Sequence, residues 1–198
     1  MTINDLCNKI EEFEGFRAQA YICPAGVPTI GFGRTEGVNI NMTTDIVTER
    51  NWLHNYVNIL YERVKNYCNS RYNYNFNENQ LLALTDFVFN LGFAKIAQLT
   101  ASGARTPKVI ASKILEYDKA RVNGVLKPLK GLTARRKWEH DLFTSNMELN
   151  SNFEPNHTIS EIQDLCNKIK PSLNKLTVDG IMGKKTINRV YTILYDLL

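Results

Sequence analysis

The 198-residue chain predicts a predominantly helical α+β fold, with one hairpin near its start and a small helical module at its end. Three observations predict it. Apolar residues recur at helical spacing over most of the length. Residues 15–33 break that rhythm, because Gly15, Pro24, Gly26, Pro28, Gly31 and Gly33 punctuate two short runs that read as strand, turn and strand. The polar stretch from Ser145 to His157, rich in Asn and containing Pro155, separates a last periodic segment from the rest.

Taken in order, Ile3, Leu6, Cys7, Ile10 and Phe13 share one face of a helix expected over Ile3–Glu14, capped by Thr2 and stopped by Gly15. Cys23-Pro24-Ala25-Gly26 fits a type I turn, with Pro at its second position and Gly at its fourth, and this folds Thr29 back towards Cys23. Thr43 to about Tyr67 has apolar periodicity without Gly or Pro, so a long helix is expected there. Asn77 with Gln80 offers a capping box for a helix through Asn90, Thr106-Pro107 opens another, and Thr133 to Phe143 reads as a further one. Everything after the first hairpin is expected to be helical. In the tail, Thr158-Ile159-Ser160-Glu161 is a second capping box, Pro171 ends that helix, and Gly183 precedes a last helix running nearly to Leu198. The expected organisation is a main domain over residues 1–145, a linker over 146–157 and a three-helix module over 158–198.

Composition narrows the partners. A net charge of +4 is below that of a dedicated nucleic-acid binder, so no nucleic acid is expected. The cations gather between Ser102 and Lys137, where Arg105, Lys108, Lys113, Lys119, Arg121, Lys127, Lys130, Arg135, Arg136 and Lys137 face only Glu116 and Asp118. Such a stretch suits an anionic surface or a set of solvated helix faces, and composition leaves both open. Cys7, Cys23, Cys68 and Cys166 lack CxxC spacing, and three histidines are too few for an evident ligand set. No metal, cofactor or disulfide framework is expected. The start lacks a basic region followed by an apolar block, and no eighteen consecutive residues are apolar. A monomer made in the cytoplasm, without stable membrane insertion, is the expectation.

Glu14 and the hairpin carry the chemistry. Cleaving a glycosidic bond needs a general acid on one face of the sugar and a group that handles water on the other. At the end of the first helix Glu14 meets the negative end of the helix dipole, with Phe13 and Phe16 beside it, and both disfavour its ionised form. Thr29 brings a hydroxyl that can donate to or accept from water, and Gly31 and Gly33 would let a polymer approach the backbone. Trp52 and Trp138 fall within helical patterns, so core packing is expected of both.

These residues carry a resemblance. Glu14, Cys23 and Thr29, followed by Ile30-Gly31-Phe32-Gly33, resemble the catalytic signature of T4-type phage lysozymes, the endolysin muramidases of glycoside hydrolase family 24. The segment Gln80 to Gly92 is similar to that family's central helix, and Leu129 to Glu139 resembles its closing Gly-Leu-x-x-Arg-Arg-x-x-Glu motif. The resemblance implies a small hairpin lobe and a larger helical lobe with peptidoglycan glycan strands between them. It implies Glu14 as general acid, Cys23 at the second catalytic position, Thr29 orienting water, and Arg135 pairing with Glu14. It also implies residence in the host cytoplasm until a holin opens the membrane. Cys23 stands where the best-known member has Asp; a thiol with an ordinary pKa near 8.5 is mostly neutral, which suits positioning water better than taking a proton.

A second, shorter resemblance lies in the tail. Asp179, Gly180, Gly183 and Thr186 look like the Asp-Gly-x-x-Gly-x-x-Thr segment of small peptidoglycan-binding modules. Three competing readings stand beside the muramidase. One is a cysteine amidase or peptidase using Cys23 with His54, His140 or His157. The others are a lytic transglycosylase and a non-catalytic wall binder.

Overall fold

The computed structural model describes residues 1–23, 26–122, 124–145, 147, 159–169, 176–178 and 184–196. The chain divides into two units, Met1–Met147 and Glu148–Leu198.

In the first unit, helix α1 (Ile3–Glu14) starts at a reciprocal capping box, the Asp5 amide donating to the Thr2 hydroxyl at 3.2 Å and the Thr2 amide to Asp5 Oδ2 at 2.8 Å. Leu6, Cys7 and Ile10 are fully buried on its inner face. The helix stops where Gly15 takes φ +69°, so Glu14 is its last residue. Strands β1 (Arg17–Ile22) and β2 (Pro28–Gly31) follow as an antiparallel pair, with Tyr21 opposite Thr29 and Ile22 opposite Pro28. The Gly26 amide donates to the Cys23 carbonyl at 2.8 Å, a bond that fits the β-turn expected over 23–26. Pro24 and Ala25, the expected centre of the turn, lie outside the described residues.

Helix α2 (Ile46–Lys65) opens at Asp45, whose carboxylate accepts from the Val47 and Thr48 amides, and passes into a π-helical turn at Asn66–Arg71. Helix α3 (Glu78–Leu91) has the Asn77–Gln80 capping box read from sequence, and every residue from Gln80 to Val88 is buried. It is the central helix, packed against α2 and against α6 (Lys130–Thr144). Between them run the short α4 (Lys95–Thr100) and α5 (Pro107–Ile114), the latter capped by Thr106. Leu53, Val57, Leu60, Leu82, Phe87, Ile110 and Phe143 are among the residues that close the core.

One expectation fails. The chain after the first hairpin is not all helical: β3 (Lys119–Val122) and β4 (Val125–Pro128) form a second antiparallel hairpin. Its signal was the dipeptide Asn123-Gly124 flanked by Val122 and Val125, and Gly124 takes φ +78°, which suits a tight hairpin turn. Helix α6 also begins at Lys130 rather than near Thr133: the Thr133 amide donates to the Leu129 carbonyl at 2.8 Å, which places Thr133 within the first turn.

In the second unit α7 (Ile159–Ile169) and α8 (Lys184–Asp196) are described, with Cys166, Leu176 and Ile193 buried together. The expected third helix is not among the described residues. Asn167 staples the intervening chain, its amide donating to the Leu176 carbonyl at 3.0 Å and its oxygen accepting from the Leu176 amide at 2.7 Å. Among the described residues no helix is long and apolar enough to cross a membrane.

Candidate active site

Because α1 ends at Glu14, its carboxylate stands where the first hairpin and helix α6 both reach it. Arg135 Nη1 donates to Glu14 Oε1 at 2.5 Å. The rest of the Arg135 fork is held from behind by Asp86 of α3: Nε donates to Oδ2 at 2.9 Å and Nη2 to Oδ1 at 2.7 Å. Asp86 is fully buried and the Arg135 side chain 4% exposed, whereas the Glu14 side chain is 26% exposed. The pair is therefore buried on the arginine side and open on the Glu14 side. Burial works against the Arg135 charge, but the carboxylates of Asp86 and Glu14 outweigh it and raise its pKa above the ordinary arginine value. The guanidinium also lies over the Phe13 ring at 5.0 Å.

Beneath this pair sits a second ionic layer. Arg136 Nη2 donates to Glu139 Oε1 at 2.6 Å and to Asn90 Oδ1 at 3.1 Å, and Arg136 and Glu139 are both fully buried. Burial and the nearby Asp86 charge push the Glu139 carboxyl well above its ordinary range. Arg136 Nε and Nη1 and Glu139 Oε2 have no protein partner among the described residues.

Glu14 opens into a cavity of about 290 Å³ lined by Gly33, Thr35, Glu36, Trp52, Tyr56, Phe89 and Asn90. Gly33 has φ +94°, and a Cβ there would lie 3.6 Å from Glu14 Oε2, so a bare backbone borders the acid. Trp52 and Tyr56 stack at 5.0 Å, and Tyr56 meets Phe89 edge-on at 5.9 Å. Trp52 packs against the core, as expected of it, and also lines the cavity, a second role not read from sequence. Trp138 packs edge-on against Phe13, as expected of it.

The other expected residues sit as follows. Glu14 and Arg135 are brought together. Thr29 is 4% exposed on β2, and its hydroxyl donates to the Val27 carbonyl at 3.0 Å, leaving the oxygen able to accept. Cys23 is half-buried at the hairpin turn, its amide donating to the Val27 carbonyl at 3.0 Å. Neither lines the cavity around Glu14. Asp179, Gly180 and Gly183 lie outside the described residues. Thr186 is buried near the start of α8 and accepts from Gln163 Nε2 at 3.1 Å.

The sequence matches the phage lysozyme family over residues 11–139, a span that holds the whole Glu14–Arg135–Asp86 cluster. The chain belongs to the phage lysozyme family. It is 31% identical over 145 residues to an endolysin of Acyrthosiphon pisum secondary endosymbiont phage 1, an alignment covering 69% of this chain and 92% of that one. Among solved structures it is similar to an endolysin of Escherichia coli O157:H7 phage FAHEc1 (TM-score 0.59, 26% identity, 72% and 93% of the two chains). It is also similar to the muramidase domain of SpmX from Asticaccaulis excentricus (TM-score 0.60, 26% identity, 70% and 94%). Membership makes this phage lysozyme family chain a peptidoglycan hydrolase.

Several residues of this family member were not singled out from sequence. Asp86 falls within the segment that resembles the family's central helix, and its pairing with Arg135 spans 49 residues. Glu49, fully buried, accepts from Arg34 Nη2 at 2.6 Å, from Arg34 Nε at 3.0 Å and from the Thr44 hydroxyl at 2.8 Å. Gly31 exists for this carboxylate: with φ +62°, a Cβ at residue 31 would collide with the Glu49 side chain. No spacing rule links residues 31, 34, 44 and 49.

Proposed function

We propose that the chain hydrolyses the β-1,4 bond between N-acetylmuramic acid and N-acetylglucosamine in bacterial peptidoglycan and so lyses its host. The observation that carries this reading is Glu14: a carboxylate open to a cavity with aromatic walls, held by an arginine that buried Asp86 fixes from behind. A group fixed on a helix end and a rigid fork is preorganised to hand a proton to a leaving glycosidic oxygen. Glu14 is the general acid in this reading. Cys23 takes the second catalytic position and holds water rather than removing its proton, and the Thr29 oxygen accepts from that water. The muramidase domain among the structural relatives supports the bond assignment.

In the same reading the chain waits in the host cytoplasm, a holin opens the membrane, and residues 158–198 bind the wall through Asp179, Gly180, Gly183 and Thr186. A weak second contact raises effective concentration at an insoluble substrate. Mass spectrometry of fragments from purified walls tests the reaction. Reducing-end muropeptides support a muramidase; anhydro ends would mean a transglycosylase, and new amino groups without new reducing ends would mean an amidase or peptidase. For the tail, sedimentation with walls should weaken when the chain is cut after residue 150, and undiminished sedimentation would refute it.

A further inference from the structure

The cations between Ser102 and Lys137 divide by their partners. Arg105 donates to the Gln98 and Leu99 carbonyls at 2.8 and 2.7 Å, Lys113 pairs with Glu116 at 2.8 Å, and Lys137 pairs with Asp141 at 2.6 Å. Arg135 and Arg136 are engaged inside the active site. Of the five cations left without a carboxylate partner among the described residues, four, Lys119, Arg121, Lys127 and Lys130, fall within residues 119–130, which contain no acidic side chain. These residues form the β3–β4 hairpin and lead into α6. The hairpin is fixed at its base, where the Leu129 amide donates to the Asp118 carbonyl at 3.0 Å and the Thr133 hydroxyl to the Asp118 carboxylate at 2.9 Å.

The same hairpin exposes aliphatic carbon. Val125, Leu126 and Leu129 are 55%, 59% and 38% exposed, and every residue from Gly124 to Lys130 is open to solvent. Successive side chains of β4 point to opposite faces, so neither face of that strand is covered. The register sets Leu126 opposite Arg121, and Val125 shares the other face with Lys127, so each face carries an aliphatic side chain beside a cation. Residues 119–130 hold no aromatic ring to stack on a sugar or a base, and Lys127 and Pro128 blunt the edge of β4 against pairing with another strand. This combination suits a lipid interface, where aliphatic tips enter the acyl boundary, lysine and arginine stems lie along it, and their charges meet anionic headgroups. We propose that the β3–β4 hairpin docks the protein reversibly on an anionic phospholipid surface, with Val125, Leu126 and Leu129 entering the interface and the four cations meeting the phosphates. The docking does not depend on which bond the enzyme cuts.

Sedimentation of the full chain with vesicles tests this. Vesicles of phosphatidylglycerol and phosphatidylcholine in equal parts should carry the protein down, phosphatidylcholine alone should not, and raised salt should release it. A cation near such a surface contributes about fivefold in affinity, so the double variant Lys119→Gln with Lys127→Gln should bind about 25-fold more weakly. Val125→Ser with Leu126→Ser should bind about tenfold more weakly through lost apolar contact. All four side chains are exposed, so both variants should unfold at the wild-type temperature. On the unmodified chain, trypsin should cut after Lys119, Arg121 and Lys130 more slowly once anionic vesicles are present, a readout that needs no variant. Equal sedimentation with both vesicle types, wild-type affinity in both variants, or unchanged cleavage at these sites overturns the proposal. Weaker binding of the variants to purified walls, with no binding of the wild type to either vesicle, would also overturn it and assign the hairpin to an anionic wall polymer.

Discussion

Removing Asp86 should cost the first unit more stability than removing any surface charge. Asp86→Ala deletes both acceptors behind the Arg135 fork, at 2.9 and 2.7 Å, and leaves a guanidinium that is 4% exposed with Glu14 at 2.5 Å and Glu139 at 3.9 Å. Breaking a buried pair by removing one partner costs about 3–5 kcal/mol, here because Nε and Nη2 lose their acceptors away from water and only Nη1 keeps a hydrogen-bond partner, Glu14. For a unit of this size each kcal/mol lowers the melting temperature by about 2–4 °C, so a fall of roughly 6–20 °C is expected. Asp86→Asn keeps one acceptor and should lose less, about 1–3 kcal/mol. The assay is intrinsic tryptophan fluorescence during urea or thermal unfolding. Trp52 and Trp138 are the only tryptophans and both lie in residues 1–147, so the signal reports on that unit alone. If Asp86→Ala unfolds within about 1 kcal/mol of the wild type, the buried clamp does not hold Arg135 as argued.

Three further outcomes are expected. Burial pushes the Glu49 carboxyl up, but the Arg34 and Thr44 hydrogen bonds and the Arg34 charge outweigh it and hold its pKa below the ordinary 4.5. A depressed folded value means the stabilisation is present above pH 4.5 and is lost as pH falls towards the folded pKa; acid titration of unfolding should therefore be steeper in the wild type than in Glu49→Gln, and equal slopes would contradict the pairing. Burial raises the Cys7 thiol to about 11 and the Cys68 thiol to about 12, so neither should react with a thiol reagent at neutral pH until the chain unfolds, and prompt native labelling of either would refute their burial. At the hairpin, Cys23→Asp should keep wall-cleaving activity and Cys23→Ala should lose most of it, whereas a fully active Cys23→Ala would remove Cys23 from the catalytic set.

The parts of the fold read correctly from sequence were those with local signals. Thr2 before Ile3, Asn77 with Gln80, and Thr106 before Pro107 each mark a helix start within three residues, and each start appears where it was expected. The second hairpin had a local signal too, Asn123-Gly124, but the helical rhythm on either side hid it. The site was legible only in part. Glu14 stood out through its place at a helix end, and its pairing with Arg135 came from the family motif, since 121 residues separate them. Asp86, Glu49 and Asn90 were not singled out because their roles arise from partners 49, 15 and 46 residues away. In a buried helix such as α3 a carboxylate whose partner is distant breaks the apolar pattern without saying what compensates it. The cavity-lining role of Trp52, beside its expected core packing, was missed for a related reason: periodicity gives the side of a helix a residue occupies, not whether the core on that side ends in a cavity.

The measurement that tests the central claim most directly is clearance of purified peptidoglycan by the wild type and by Glu14→Gln, with the soluble products analysed by mass spectrometry. Gln keeps an oxygen for Arg135 and has no carboxyl proton to give. Reducing-end muropeptides from the wild type that vanish with Glu14→Gln are the predicted result; equal release of such fragments by the variant would contradict Glu14 as the acid.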